Sequence, residues 1–264
     1  LEQQTLEQLL FMQQVFLFYY RESNSGTSQS VKSLLSFCSS LDANSLSVSV
    51  SQNALQNVTS THSIAGFVLM EMLDIDGLLE KIAASGADGS KIPAGSLAKW
   101  SSVGDGVDAD VNAFFHGRPA DRSHILFVWS IFNRLKVIAS GQQQEEQPSV
   151  DIVTMAVTHG ALSNIKFSLR DELIRSSTDS SAFHSVLKNF LSAFLVAFEV
   201  SPRRVSQDMV ESITDILTLC FDGEPLLVEQ FWDKNYVLDY PVRHYLQQCQ
   251  QLFPSLPMPY MRLL

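Results

Sequence analysis

The sequence predicts an all-α fold, a layered stack of helices around one core. Three observations carry this. Apolar residues recur at steps of three and four through most of the 264 residues. Glycine is scarce, 12 in all, so the turns and alternating runs that an all-β chain needs are mostly missing. No fixed repeat of about 30–50 residues is visible, which sets aside the regular repeat families and leaves irregular stacked helix pairs. With 45% hydrophobic residues the chain can bury a sizeable core, and residues 1–264 are expected to form a single unit.

The elements follow in order. Leu6, Leu9, Leu10, Gln13, Phe16, Leu17 and Tyr20 mark one face of a first helix, and Val31, Leu34, Leu35 and Cys38 a second, shorter one. Residues 42–63 are rich in Ser, Asn and Thr, and are expected to be a long mobile loop. A firm helix spans about 64–84, followed by a glycine-punctuated connection at 85–106 with a short helix near Trp100, and another short helix at 111–115. A polar linker is expected at 140–149. Helices then resume at 150–162, 165–175, 183–198, 205–221, 226–232 and 239–253, with a last one starting near Pro257. The helix at 183–198 is the clearest. Phe183, Val186, Leu187, Phe190, Leu191 and Phe194 form its stripe, with Lys188, Asn189, Ser192 and Glu199 opposite.

The stretch DRSHILFVWSIFNRLKVIA, residues 121–139, is nearly continuous hydrocarbon and aromatic from Ile125 to Phe132. It is far shorter than the ~20 residues a bilayer requires, and Arg134 and Lys136 follow at once. On a helix, Ser130, Asn133 and Arg134 make one narrow polar strip and the rest is apolar. A helix apolar on most sides needs neighbours on most sides, so this is expected to be an inner helix, with Asp121 as its N-cap.

Charge and cysteine usage exclude some functions. Eighteen Lys and Arg stand against 28 Asp and Glu, a net charge of −10, which disfavours a nucleic-acid surface and a polybasic grip on lipid. The three cysteines Cys38, Cys220 and Cys249 are widely spaced, and the latter two fall on apolar stripes, as in a reducing compartment. The opening LEQQTLEQLLFMQQ has neither a basic n-region nor an apolar h-region, and no initiating Met, so a segment of a longer chain without a signal peptide is expected.

The motifs that could carry chemistry lack the context that chemistry needs. GDGVDA at 104–109 matches a dinucleotide fingerprint on paper, but SLAKWSSV before it is no strand and no βαβ unit follows. DADVN at 108–112 starts like a calcium loop, yet Ala113 stands where the turn needs Gly and Pro119 where Glu should sit. His62, His116, His124, His159, His184 and His244 are scattered singly, none at a zinc spacing with another His or Cys. Asp74 and Asp76 lie at positions that do not face each other on a helix. A Ser–His–Asp triad assembled in space stays open. The expectation is no enzyme, no cofactor, no metal and no catalytic residue.

Several segments together carry a family resemblance. LLFMQQVFLFYY (9–20), IAGFVLMEMLDIDGLLEKI (64–82), FFHGRPADRSHILFVWSIFNRL (114–135), EQFWD (229–233) and YLQQCQQLFPSLPMPYMRLL (245–264) occur in this order. They resemble the amino-terminal part of the large inner-ring scaffold nucleoporins of the nucleoporin 188 family, with the paralogous nucleoporin 205/192 family second. The resemblance implies an irregular HEAT-like α-helical solenoid of stacked antiparallel helix pairs at the nuclear envelope. There the family scaffolds the inner ring of the nuclear pore complex and supports nucleocytoplasmic transport of protein and mRNA. It also implies a large multi-subunit assembly whose partners are other nucleoporins, namely linker segments and neighbouring scaffold subunits. The linker-helix site of the family lies beyond this segment, so no partner-contact residue is assigned. The alternative is a HEAT-type nuclear transport receptor or adaptor, and an all-helical enzyme is a remote third.

Overall fold

The computed structural model describes residues 2–22, 25–45, 51–88, 92–141, 148–175, 179–233 and 236–254. They are all-α, with no strand among the described residues. The α-helices are α1 (Glu2–Glu22), α2 (Ser28–Ser45), α3 (Gln52–Met72), α4 (Ile75–Asp88), α5 (Ala98–Gly104), α6 (Asp108–Gly117) and α7 (Pro119–Ser140). After them come α8 (Pro148–Thr158), α9 (Ala161–Arg170), the single turn α10 (Glu172–Arg175), α11 (Ser180–Ala197), α12 (Gln207–Phe221), α13 (Pro225–Trp232) and α14 (Tyr240–Gln251). Short 3₁₀ turns at Ala94–Leu97 and Val237–Asp239 lead into α5 and α14. No described helix is long and apolar enough to cross a membrane.

Three helices form the centre. α3 packs against α1, α2, α7, α9 and α11, while α7 also meets α4, α6 and α8, and α11 also meets α4, α12 and α14. The expectation for the Trp129 helix holds: from Arg122 to Phe132 every residue of α7 is buried. Its start differs from expectation. Pro119, with φ already suited to a helix, opens α7, so Asp121 lies in the first turn and the capping position falls to Arg118. Gly141, at φ 64°, closes it in the left-handed conformation that an L side chain avoids.

The loop expected at 42–63 is corrected. α2 runs to Ser45 and α3 starts at Gln52, where the Ser51 hydroxyl accepts from Ala54 N at 3.3 Å and caps the helix. This half of α3 is polar because it is stitched to neighbours. Asn53 donates to Glu2 at 2.8 Å, Asn57 to Thr5 at 3.2 Å, and Ser60 to the Asp171 carboxylate. The single helix expected at 64–84 is two. The chain breaks at Asp74, φ 47°, a position that Asp tolerates better than most residues, and Asp74 O accepts from Trp100 Nε1 at 3.0 Å. The connections at 85–106 and 140–149 are shorter than expected, since α4 extends to Asp88, α5 occupies 98–104 and α8 starts at Pro148. The helix at 165–175 divides at Asp171, and the one expected at 205 starts after Ser206, whose hydroxyl caps Met209 N at 3.3 Å. The expected helix near Pro257 lies outside the described residues.

Candidate functional site

The glycine- and aspartate-bearing motifs at 104–112 fall at helix ends. Gly104 closes α5, Gly106 turns at φ 69°, and Asp108 opens α6. Asp108 Oδ1 accepts from Trp129 Nε1 at 2.7 Å and from Asn133 Nδ2 at 3.1 Å, and Asp110 pairs with Lys32 at 3.2 Å. These carboxylates thus tie α6 to α7 and α2. Among the described residues no group of three or more His, Cys, Asp or Glu is placed to hold a metal. Cys38, Cys220 and Cys249 are buried thiols outside any disulfide, and burial raises Cys249 to about 11 and Cys220 higher still. His116 and His159 flank Phe115, His184 pairs with Glu224 at 3.2 Å, and His244 stacks on Tyr240.

The carboxylates around the α3–α4 corner do influence one another, against the helical-spacing expectation, because the helix breaks between them. Burial, with Asp76 and Asp74 adding repulsion, raises Glu71 to about 8. Burial raises Asp76 to about 6, opposed by the hydrogen bond from Asn189 Nδ2 at 2.6 Å. The same seam continues along α11. Lys188 is fully buried and its ammonium lies 2.8 Å from an oxygen of the equally buried Asp239, 3.3 Å from Gln230 Oε1 and 4.9 Å from the centre of the Tyr236 ring. The polar face of α11, opposite the apolar stripe, is therefore mostly interior. Lys188, Asn189 and Ser192 are buried, because α4, α14 and the turn before it cover that side. Sequence periodicity saw one stripe where the helix is surrounded.

Several depressions open on the outside, and two of them carry exposed large apolar side chains of α1, α3 and α9. The first lies between α1 and α2, about 420 Å³, floored by Met12 and Leu34 and walled by Phe11 and Phe37, whose rings are 6.4 Å apart. The α1 stripe is corrected here: Thr5, Leu9, Met12 and Phe16 face the core, while Leu6, Leu10, Phe11 and Phe18 are exposed. The second is more enclosed, about 260 Å³, between α3, α7 and α9. Leu55 and Phe167 stand exposed at its mouth, and His62, His124, Asn164, Arg118 and Asp121 contribute its polar lining. His124 Nε2 lies 3.0 Å from His62 O, and burial lowers its pKa to about 4. None of this cleft was visible in the sequence, although Leu55, Val58 and His62 fall on one helical face within the stretch expected to be a loop.

Comparison with family models, with curated proteins and with solved structures finds no match to this chain.

Proposed function

We propose that the chain is a segment of a structural scaffold subunit of the nuclear pore complex inner ring. It is a HEAT-like, irregular stack of antiparallel helix pairs, non-enzymatic, that supports nucleocytoplasmic transport by holding other nucleoporins. One observation carries this reading. Three of the segments that bear the family resemblance meet in the core: Phe16 of FLFYY packs on Phe67 at 6.1 Å, and the Trp129 helix packs against α3. Sequential pairs α2–α3, α6–α7, α7–α8 and α8–α9 pack together, which supports stacked pairs, while the contact of α1 with α11 reaches further than nearest-neighbour stacking alone. The two outer depressions offer partner segments a place between helices.

The second reading is a transport receptor of the same architecture, favoured by the exposed aromatics Phe11, Phe18 and Trp232. Immobilised phenylalanine-glycine repeats separate the two. Retention that a small GTPase reverses belongs to the receptor.

Proximity labelling of the tagged full-length protein in cells tests the proposal. Neighbours drawn from the inner ring of the nuclear envelope are expected. A set of cytosolic enzymes overturns it.

A further inference from the structure

The side of α1 turned away from α3 is apolar and open. Thr5, Leu9, Met12 and Phe16 face the core, yet Leu10, Phe11 and Phe18 are 52%, 60% and 54% exposed, with half-buried Leu17 beside them. A helix apolar on nearly every side needs cover on nearly every side. The residues of this open side read alike in both directions. Glu7, Gln14 and Arg21 recur at intervals of seven, close to two turns, and all three are exposed. About Gln14 the pattern is balanced: Leu10 and Phe11 on one side answer Phe18 and Leu17 on the other, and Glu7 answers Arg21. Glu7 accepts from Gln3 Nε2 at 3.1 Å on its own helix. Arg21 holds Asp179 through Nη2 at 2.8 Å, but its side chain is 64% exposed and a guanidinium has five donors, so it can serve a second carboxylate.

We propose that two copies of the chain pair through this face, α1 lying antiparallel to α1 of the second copy about a twofold axis at Gln14. Leu10 then packs on the partner's Phe18, Phe11 on the partner's Leu17, and Glu7 pairs with the partner's Arg21, each contact occurring twice. The two Gln14 carboxamides, each both donor and acceptor, bond to one another across the axis. A second copy is the occupant that fits, because a twofold interface must be complementary to itself, and the order of charge and bulk along this face is. Parallel pairing would set Glu7 on Glu7 and Arg21 on Arg21. One helix pair is small beside the roughly 1,200–2,000 Å² of a stable complex, so the dimer forms only at high concentration. The inference goes beyond the pore reading and does not depend on it.

Sedimentation equilibrium of the 264-residue chain, from about 1 to about 200 µM, tests it. The average mass is expected to climb from 29.4 kDa toward twice that value. Glu7→Arg and Arg21→Glu, both at exposed positions and with helicity checked by circular dichroism, are each expected to weaken pairing roughly tenfold. Mixed in equal amounts, the two variants should recover it, because each then meets opposite charge at both ends of the seam. Leu10→Ser, also exposed, should abolish pairing and leave the fold intact. A chain that stays monomeric across the range, pairing unchanged by Leu10→Ser, or a mixture no tighter than either charge variant alone overturns the proposal.

Discussion

The ring of Phe16 on α1 lies nearly flat against that of Phe183 on α11, with centroids 4.1 Å apart and planes at 16°. Phe67 of α3 meets Phe183 edge-on at 5.1 Å, so one aromatic triple joins the first helix to one more than 160 residues away. Both Phe16 and Phe183 are fully buried. Truncating either to Ala is expected to cost about 3–5 kcal/mol of unfolding free energy. In a double-mutant cycle by urea denaturation, the pair should couple by about 0.5–1.5 kcal/mol. Additive losses would mean that the rings do not stack in solution.

Lys188 and Asp239 are both fully out of water, so removing one partner strands a buried charge. Lys188→Met is expected to destabilise by about 3–5 kcal/mol, and Lys188→Met with Asp239→Leu to regain most of that loss. Chemical denaturation of the single and double variants measures it. A single variant as stable as the parent would contradict the buried pair.

Stability should respond to pH from two sides. Glu71 and Asp76 have folded pKa values raised to about 8 and about 6, mainly by burial, so the folded state holds their protons longer than the unfolded chain. Their contribution is present below the ordinary carboxylate range and is lost as pH rises through those values. His124 works oppositely. Its pKa is lowered by burial to about 4, so its contribution is present above its ordinary value of 6.5 and is lost as pH falls through about 4. Glu71→Gln should therefore gain stability relative to the parent as pH rises from about 5 to about 9, with little gain at the acid end. A pH-independent difference between the two would contradict the raised Glu71.

Ser51→Ala tests the corrected start of α3. Loss of the cap to Ala54 N should cost about 1 kcal/mol and speed amide exchange over the first turns of the helix, with exchange in α7 unchanged. Exchange already fast throughout 52–63 in the parent would restore the loop.

What the sequence made legible follows from where each helix is buried. α7 could be read because its apolar residues exceed what one face needs, and the cysteines because they sit on stripes that stay inside. Residues 52–63 could not be read, because there the interface is polar. Asn57 on Thr5, Ser60 on Asp171 and the His62 carbonyl on His124 look like loop composition until the partner helices are in place. The same holds for Lys188 and Asn189, which are charged or polar, sit opposite the stripe, and are nonetheless interior because their partners come from α4 and the turn before α14. The α3–α4 break at Asp74 was hidden because its apolar neighbours keep helical spacing across the turn. The polar lining of the α3–α7–α9 cleft depends on three distant stretches meeting, which no local pattern encodes.

The claim that the stacked helices serve as fixed architecture at the pore is tested most directly by photobleaching the endogenously tagged full-length protein in living cells. Punctate nuclear-rim fluorescence that fails to recover over many minutes is the predicted result. Diffuse signal, or rim signal that recovers within seconds as a shuttling receptor would, contradicts it.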